Sequence, residues 1–301
     1  SVSGGANDTN DLTLSGTLAD INATLATLSY QGNLNFNGSD TLTMLSTDSN
    51  AVTDSDTIAI TVTAVNDEEV LATNTGTTVS EGSIGTTITG AMLATTDVDN
   101  LAAQVTYTVD SVASNGLLRL SGTVLGLNDT FTQADIDAGN LTYDHDGSQT
   151  SADSFDFTVD DGAGTATSGT FNIVVTNVND APVNTVPGAQ TVDEDTSVAI
   201  SGISVADDDD NLSTVQLSVA NGSLNVTLSG SASVSAGAND SNDLTLSGTL
   251  ADINATLATL SYQGDLNFNG GDTLTVLSTD ANSATDTDSV TITVSAVNDE
   301  E

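Results

Sequence analysis

The chain contains no cysteine, no tryptophan and no lysine, and it carries a single arginine, Arg119, and a single histidine, His145. Each absence excludes something. Without cysteine there is neither a disulfide nor a thiolate site. Without lysine no Lys–Asn crosslink can form, and a trypsin-like protease finds only Arg119 to cut beside. One histidine cannot build a zinc site of the usual kind, and it suggests no Ser–His–Asp arrangement. No glycine-rich phosphate loop follows a strand. No apolar run approaches the ~20 residues that cross a bilayer as a helix. Cation scarcity weighs most: 42 acids against one arginine give a formal net charge of −41. Nucleic acid and anionic membrane both need a cationic surface and are excluded as partners. The acids are spread through the loops, and compact folding at this charge costs self-repulsion that divalent cations or high salt would offset.

What is present repeats. Residues 1–69 and 233–301 align without a gap and differ at thirteen positions. A weaker copy lies between them: LTYDHDGS and DSFDFTVDDG within 141–162 parallel LSYQGN and DTLTMLSTD within 28–48. Each copy closes on Val-Asn-Asp, at 65–67, 178–180 and 297–299. Self-similarity of this kind marks a modular array. The expected division is 1–69, 70–181 and 182–301. The first copy lacks a counterpart of 182–232 and cannot bury its sheet face alone. Either the chain is cut from a longer array, or another chain supplies the strands.

Period-two alternation dominates, as in Ile58/Ile60/Val62, Phe155/Phe157/Val159 and Val290/Ile292/Val294. Asp, Asn, Gly and Ser clusters punctuate these runs. The pattern predicts an all-β protein of tandem antiparallel β-sandwich modules, cadherin-like or immunoglobulin-like, in an elongated array. One helical turn recurs, at Thr17-Leu-Ala-Asp20, Thr132-Gln-Ala-Asp135 and Thr249-Leu-Ala-Asp252. Each sets a capping threonine three residues before an acid. Apolar Leu18, Ile21, Leu25 and Leu28 follow at helical spacing. Tyr30, Tyr143 and Tyr262 then read as core or corner residues.

FTQADIDAGNLTYDHDGSQTSADSFDFTVDDG, residues 131–162, resembles the chondroitin-sulfate-proteoglycan type of cadherin-like repeat. VNDAPV at 178–183 and VDEDTSVAISGISVADDDDN at 192–211 resemble the cadherin-like modules of giant secreted bacterial adhesins. The resemblance implies extracellular, calcium-stiffened rods, with no particular ligand.

Calcium takes six to eight oxygen ligands, and acids lie where modules should join. By the likeness to cadherins, Asp48, Asn66 and Asp67 would meet Asp97 and Asp99 at the first junction. Glu81, Asp160, Asp161, Asn179 and Asp180 would meet Asp207 and Asp209 at the second, with Glu194 the third-copy counterpart of Glu81. The chain departs from the cadherin linker pattern Asp-x-Asn-Asp-Asn, since Ala64, Asn177 and Ala296 stand at its first position. Asp54/Asp56 and Asp286/Asp288 read as solvated turns, His145 as a structural hydrogen-bonding group and Arg119 as a strand residue paired with a carboxylate. Ten Asn-X-Ser/Thr matches are no more than a chain this rich in Asn, Ser and Thr would carry by chance.

These readings make the chain a non-enzymatic structural extender at the cell surface, stiffened by calcium and in contact with neighbouring repeats or identical chains. Two alternatives stand beside it. One is an adhesive module binding polysaccharide or its own kind. The other is a filament subunit completed by a neighbour's strands.

Overall fold

The computed structural model describes residues 1–298; Asp299, which ends the third Val-Asn-Asp, lies outside that range. The alternating segments form strands and the Asp/Asn/Gly clusters form the turns between them. In the middle copy a five-stranded sheet runs in the order Thr130–Thr132, Thr106–Ser111, Ala152–Asp160, Thr167–Thr176, Thr77–Ser80. A four-stranded sheet of Thr123–Val124, Gly116–Leu120, Leu141–His145 and Thr86–Thr87 shares its core. Four of the six phenylalanines meet there, and Tyr107 stacks on Phe131 with ring centroids 4.9 Å apart.

The third copy builds a six-stranded sheet and a three-stranded one around an aliphatic core in which Tyr262 is the one buried ring. Small β-branched and leucine side chains fill this space because the alternating positions present one face each to the interior.

Pairing is antiparallel with one departure in each complete module. Thr77–Ser80 runs parallel to the last strand, with Ile173 opposite Thr77, and Gln190–Asp193 runs parallel to Thr285–Ser295. A chain that comes in at one end of a sandwich and leaves at the other gives its first and last strands the same direction. The first strand also changes sheets. Val70–Asn74 pairs with Leu93–Thr96, and the chain then crosses to Ile173. Gly76 makes the crossing at φ 71°, where a Cβ would stand 2.3 Å from the Asn172 carbonyl oxygen.

The recurring helices are Leu18–Leu25, Gln133–Asp137 and Leu250–Leu257. Thr17, Thr132 and Thr249 each accept the backbone N–H three residues on. The reciprocal bond to the cap backbone is complete at Thr132, where Asp135 Oδ2 accepts the Thr132 N–H at 2.9 Å. Asp252 turns away to accept from Ser231 N–H and Oγ–H instead.

Residues 1–62 reproduce the hairpins and helix of the third copy, but among the described residues none of them is buried. Tyr262 and Val290 are 0% and 1% exposed; their counterparts Tyr30 and Ile58 are 45% and 57% exposed. In the third copy, strands within 197–226 cover this face.

Candidate functional site

Two junctions are assembled from the same parts. At the first, the linker residue Asn66 donates its Nδ2–H to Asp161 Oδ2 at 2.9 Å and to the Asp67 carbonyl at 3.0 Å. The Asp67 N–H donates to Asp99 Oδ2 at 2.8 Å. At the second, Asn179 donates to Asp280 Oδ2 at 2.6 Å and to the Asp180 carbonyl at 3.1 Å, and the Asp180 N–H donates to Asp209 Oδ2 at 2.6 Å. Asp97 and Asp207 open the two Asp-x-Asp loops. Each turns one oxygen back onto the loop's own N–H groups and keeps Oδ2 buried without a partner among the described residues. Burial without a partner costs a charged group several kcal/mol.

Glu69 sharpens the first junction. It lies one residue before Val70, which pairs with Thr96 beside the Asp97 loop. The residue is 4% exposed and neither carboxylate oxygen has a partner among the described residues. One of its oxygens lies within 4.8 Å of one oxygen each of Asp160 and Asp161. Like charges at that separation repel by roughly 3 kcal/mol per pair at an effective dielectric constant near 20. Glu68, next in the linker, accepts the Thr165 N–H at 2.8 Å and so covers the same hairpin end.

The hydrogen-bond environments set the local protonation. The Ala163 N–H and the Asn66 amide hold the Asp161 carboxyl below its ordinary value. The Asn179 amide is the main cause of the same shift at Asp280, with the N–H groups of Ala284 and Asn282 adding to it. Burial pushes Asp207 up, and the charges of Asp209 and Asp280 add to that.

The residues expected at the junctions fall in four places: the two junctions, the far end of the third module and a hairpin turn of the first copy. Asn66, Asp67, Asp97 and Asp99 lie together at the first junction, and Asn179, Asp180, Asp207 and Asp209 at the second. Asp160 and Asp161, grouped with the second by sequence, lie at the first. They end strand Ala152–Asp160 at the end of the middle sandwich that faces the incoming linker. Glu81 stays with the outgoing linker, accepting the Val178 N–H and the Gln149 amide, which also reaches Asp180. Glu194 does the same at the far end of the third module, accepting the Val297 N–H at 2.6 Å, and so is no part of the second junction. Asp48 closes its own hairpin turn through the N–H groups of Asn50 and Val52. The repeat offset of 232 carries Asp48 onto Asp280, so the sequence held the signal for that missed residue. Glu69, Asn100, Asn211 and Asn282 were also missed, and each needs the fold to be seen.

Other residues take structural roles. His145 Nδ1 accepts the N–H groups of Gly82 and Gly147, both at 3.2 Å. Arg119 pairs with Asp144 at 2.6 Å. Asp54/Asp56 and Asp286/Asp288 lie within strands, not turns, and Asp286 accepts the Asn184 N–H. Tyr143 and Tyr262 are core rings whose hydroxyls donate to Asp153 and Asp272.

Fold and junctions define a class: tandem β-sandwich modules joined end to end through carboxylate-lined linkers. Residues 70–175 match the cadherin-like family; the outer stretches 1–57 and 195–289, together half of the chain, match the Protein GAMETE EXPRESSED 2 domain, and the chain belongs to that domain family. Mouse "Extracellular matrix organizing protein FRAS1" is 36% identical over 108 residues, 35% of this chain. Human "FRAS1-related extracellular matrix protein 1" is 34% identical over 93 residues, 31% of the chain. The chain spans 3% and 4% of the length of these two relatives. They are mammalian matrix proteins, so the likeness does not single out bacterial adhesins. Among solved structures, Protocadherin Gamma B2 cadherin domains 1–5 align at TM-score 0.44 and 16% identity over 86% of this chain and 45% of that one. Human CDH23 EC21-23 aligns at TM-score 0.43 and 15% identity, over 85% and 74%.

Proposed function

We propose that this chain is a structural segment of an extracellular adhesion or matrix protein, and that divalent cations, calcium first, brace its modules against one another. The observation that carries the reading is Glu69: a buried carboxylate, both oxygens unpartnered, beside two further carboxylates. Calcium is the cation whose flexible all-oxygen coordination suits such a set. Glu69, Asp97, Asp160 and Asp161 would hold it, with Asp67 and Asp99 at the margin. Asp207 is the equivalent buried group at the second junction. The chemistry supplied is charge neutralisation and crosslinking, and no bond is made or broken. An extracellular setting supports this, because calcium is plentiful there and the two mammalian relatives are extracellular matrix proteins by name. The exposed rings Tyr30 and Phe36 are counterparts of the core ring Tyr262 and of Phe268, which packs on that core, so they give no support to a sugar-stacking role.

Thermal unfolding at fixed ionic strength tests the reading. Calcium should raise the melting temperature progressively with its free concentration, with sodium or magnesium unable to substitute. The variant Glu69→Gln should lose most of the gain. A melting temperature indifferent to chelation would overturn it.

A further inference from the structure

The two junctions are built alike but not closed alike. At the first, the residues that face one another are acids. Glu69, Asp160 and Asp161 each offer one oxygen, and these lie within 4.8 Å of one another. At the second, Pro182 stands in the place of Glu69 and Thr279 in the place of Asp160. The opposite change occurs among amides. Ala163 of the first junction is replaced at the second by Asn282. Asn282 donates its side-chain N–H to Asn179 Oδ1, which also accepts from Asn211 Nδ2 at 2.9 Å. Asn179 in turn donates to Asp280 and to the Asp180 carbonyl. One linker side chain therefore ties the 207–211 loop, the 280–284 turn and its own backbone together. At the first junction the corresponding loop amide, Asn100, donates to the Asp161 carbonyl instead of to Asn66.

Resting on the calcium reading above, we infer that the junctions differ in what closes them: the first closes around a divalent cation, whereas the second is closed by its own Asn179–Asn211–Asn282 amides and keeps its geometry when calcium is withdrawn. Two independent features separate them. The first holds a buried, unpartnered Glu69 among carboxylates whose mutual repulsion needs a counter-charge. At the positions of Glu69 and Asp160 the second carries Pro182 and Thr279, and neutral amide donors close it; the further acids of its loop, Asp208 and Asp210, are exposed. Its unpartnered buried oxygens, Asp207 Oδ2 and Asn211 Oδ1, fall well short of the six to eight that calcium takes. An ion taken up there adds to a joint already made. Falling calcium would therefore loosen this chain at one defined joint.

Hydrogen exchange on the whole chain reads each joint separately. The linker N–H groups of Asp67 and Asp180 donate to matching carboxylates, Asp99 and Asp209, so their protection reports closure. Chelation should speed exchange at Asp67 by about tenfold or more while Asp180 changes by less than about twofold. Asn282→Ala and Asn211→Ala should speed exchange at Asp180 with or without calcium and leave Asp67 unchanged. Glu69→Gln should reproduce at Asp67 what chelation does. Equal responses of Asp67 and Asp180 to chelation would overturn the inference and leave the calcium reading standing. No response at either, with no calcium uptake by calorimetry, would overturn the calcium reading and this inference with it.

Discussion

Asp272 shows how a carboxylate in this chain can serve the fold instead of a cation. Its two oxygens accept the N–H groups of Ala220, Asn221 and Thr273 and the hydroxyl of Tyr262. Asp153 repeats the arrangement in the middle module with Ser114, Asn115, Ser154 and Tyr143. Asp272→Ala strands several buried donors and should cost the third module roughly 3 kcal/mol, against about 1 kcal/mol for Tyr262→Phe, measured by urea unfolding. The pH dependence has a definite sign. Burial alone would raise the Asp272 carboxyl, but the surrounding donors outweigh it and hold the group below its ordinary 3.8. Its stabilisation is therefore present above that value and lost as pH falls through the lower folded value. The stability gap between the parent and Asp272→Ala should narrow on acidification below 3.8; a gap that stays constant would count against the assignment. Tyr30, expected in the core from its place after the helical turn, is 45% exposed because no strands among the described residues cover the first copy. That Tyr143 and Tyr262 belong to the core was legible on the same signal. The acids that hold them were not, because nothing in a sequence with 42 acids separates a carboxylate that folds inward from one that faces water.

At the scale of the element, the caps and the sheet crossing carry the definite expectations. Thr132→Ala removes the side-chain half of the reciprocal cap, the Thr132 oxygen that accepts the Asp135 N–H. It leaves the backbone N–H that donates to Asp135 and should cost about 1 kcal/mol in the middle module. Gly76→Ala combines a left-handed backbone with a Cβ driven into the Asn172 carbonyl and should cost about 2 kcal/mol or more. Both are read by denaturant unfolding of the single variants. Strands, turns and the three helices were legible because period two and the Thr-x-x-Asp spacing are local properties of the chain. The parallel pairing of first and last strands was not, since direction across a sheet depends on where the chain comes in and leaves. For the same reason Asp160 and Asp161 were set at the wrong end of their module. The sequence shows that they follow a strand, but not which way that strand runs.

For the whole molecule, the buried apolar side chains of the two cores divide into one set between Val79 and Val175 and another between Val192 and Val294. Residues 1–62 contribute none. A chain comprising 63–301 should therefore melt within a few degrees of the parent and show the same calcium dependence, checked by calorimetric scanning; a large drop would mean that the first copy stabilises the others. The repeat made this organisation visible from the outset, whereas the division of labour between the joints depends on three substitutions scattered between similar copies. The parallel pairing of outer strands has a mechanical meaning as well. A pull on the two ends of a module draws Thr77–Ser80 and Thr167–Thr176 past each other along their length. The ladder bonds between them then share the load and fail together instead of opening one at a time. A module so arranged resists tension through shear, and the force needed to rupture it is set by that short ladder more than by the depth of its core.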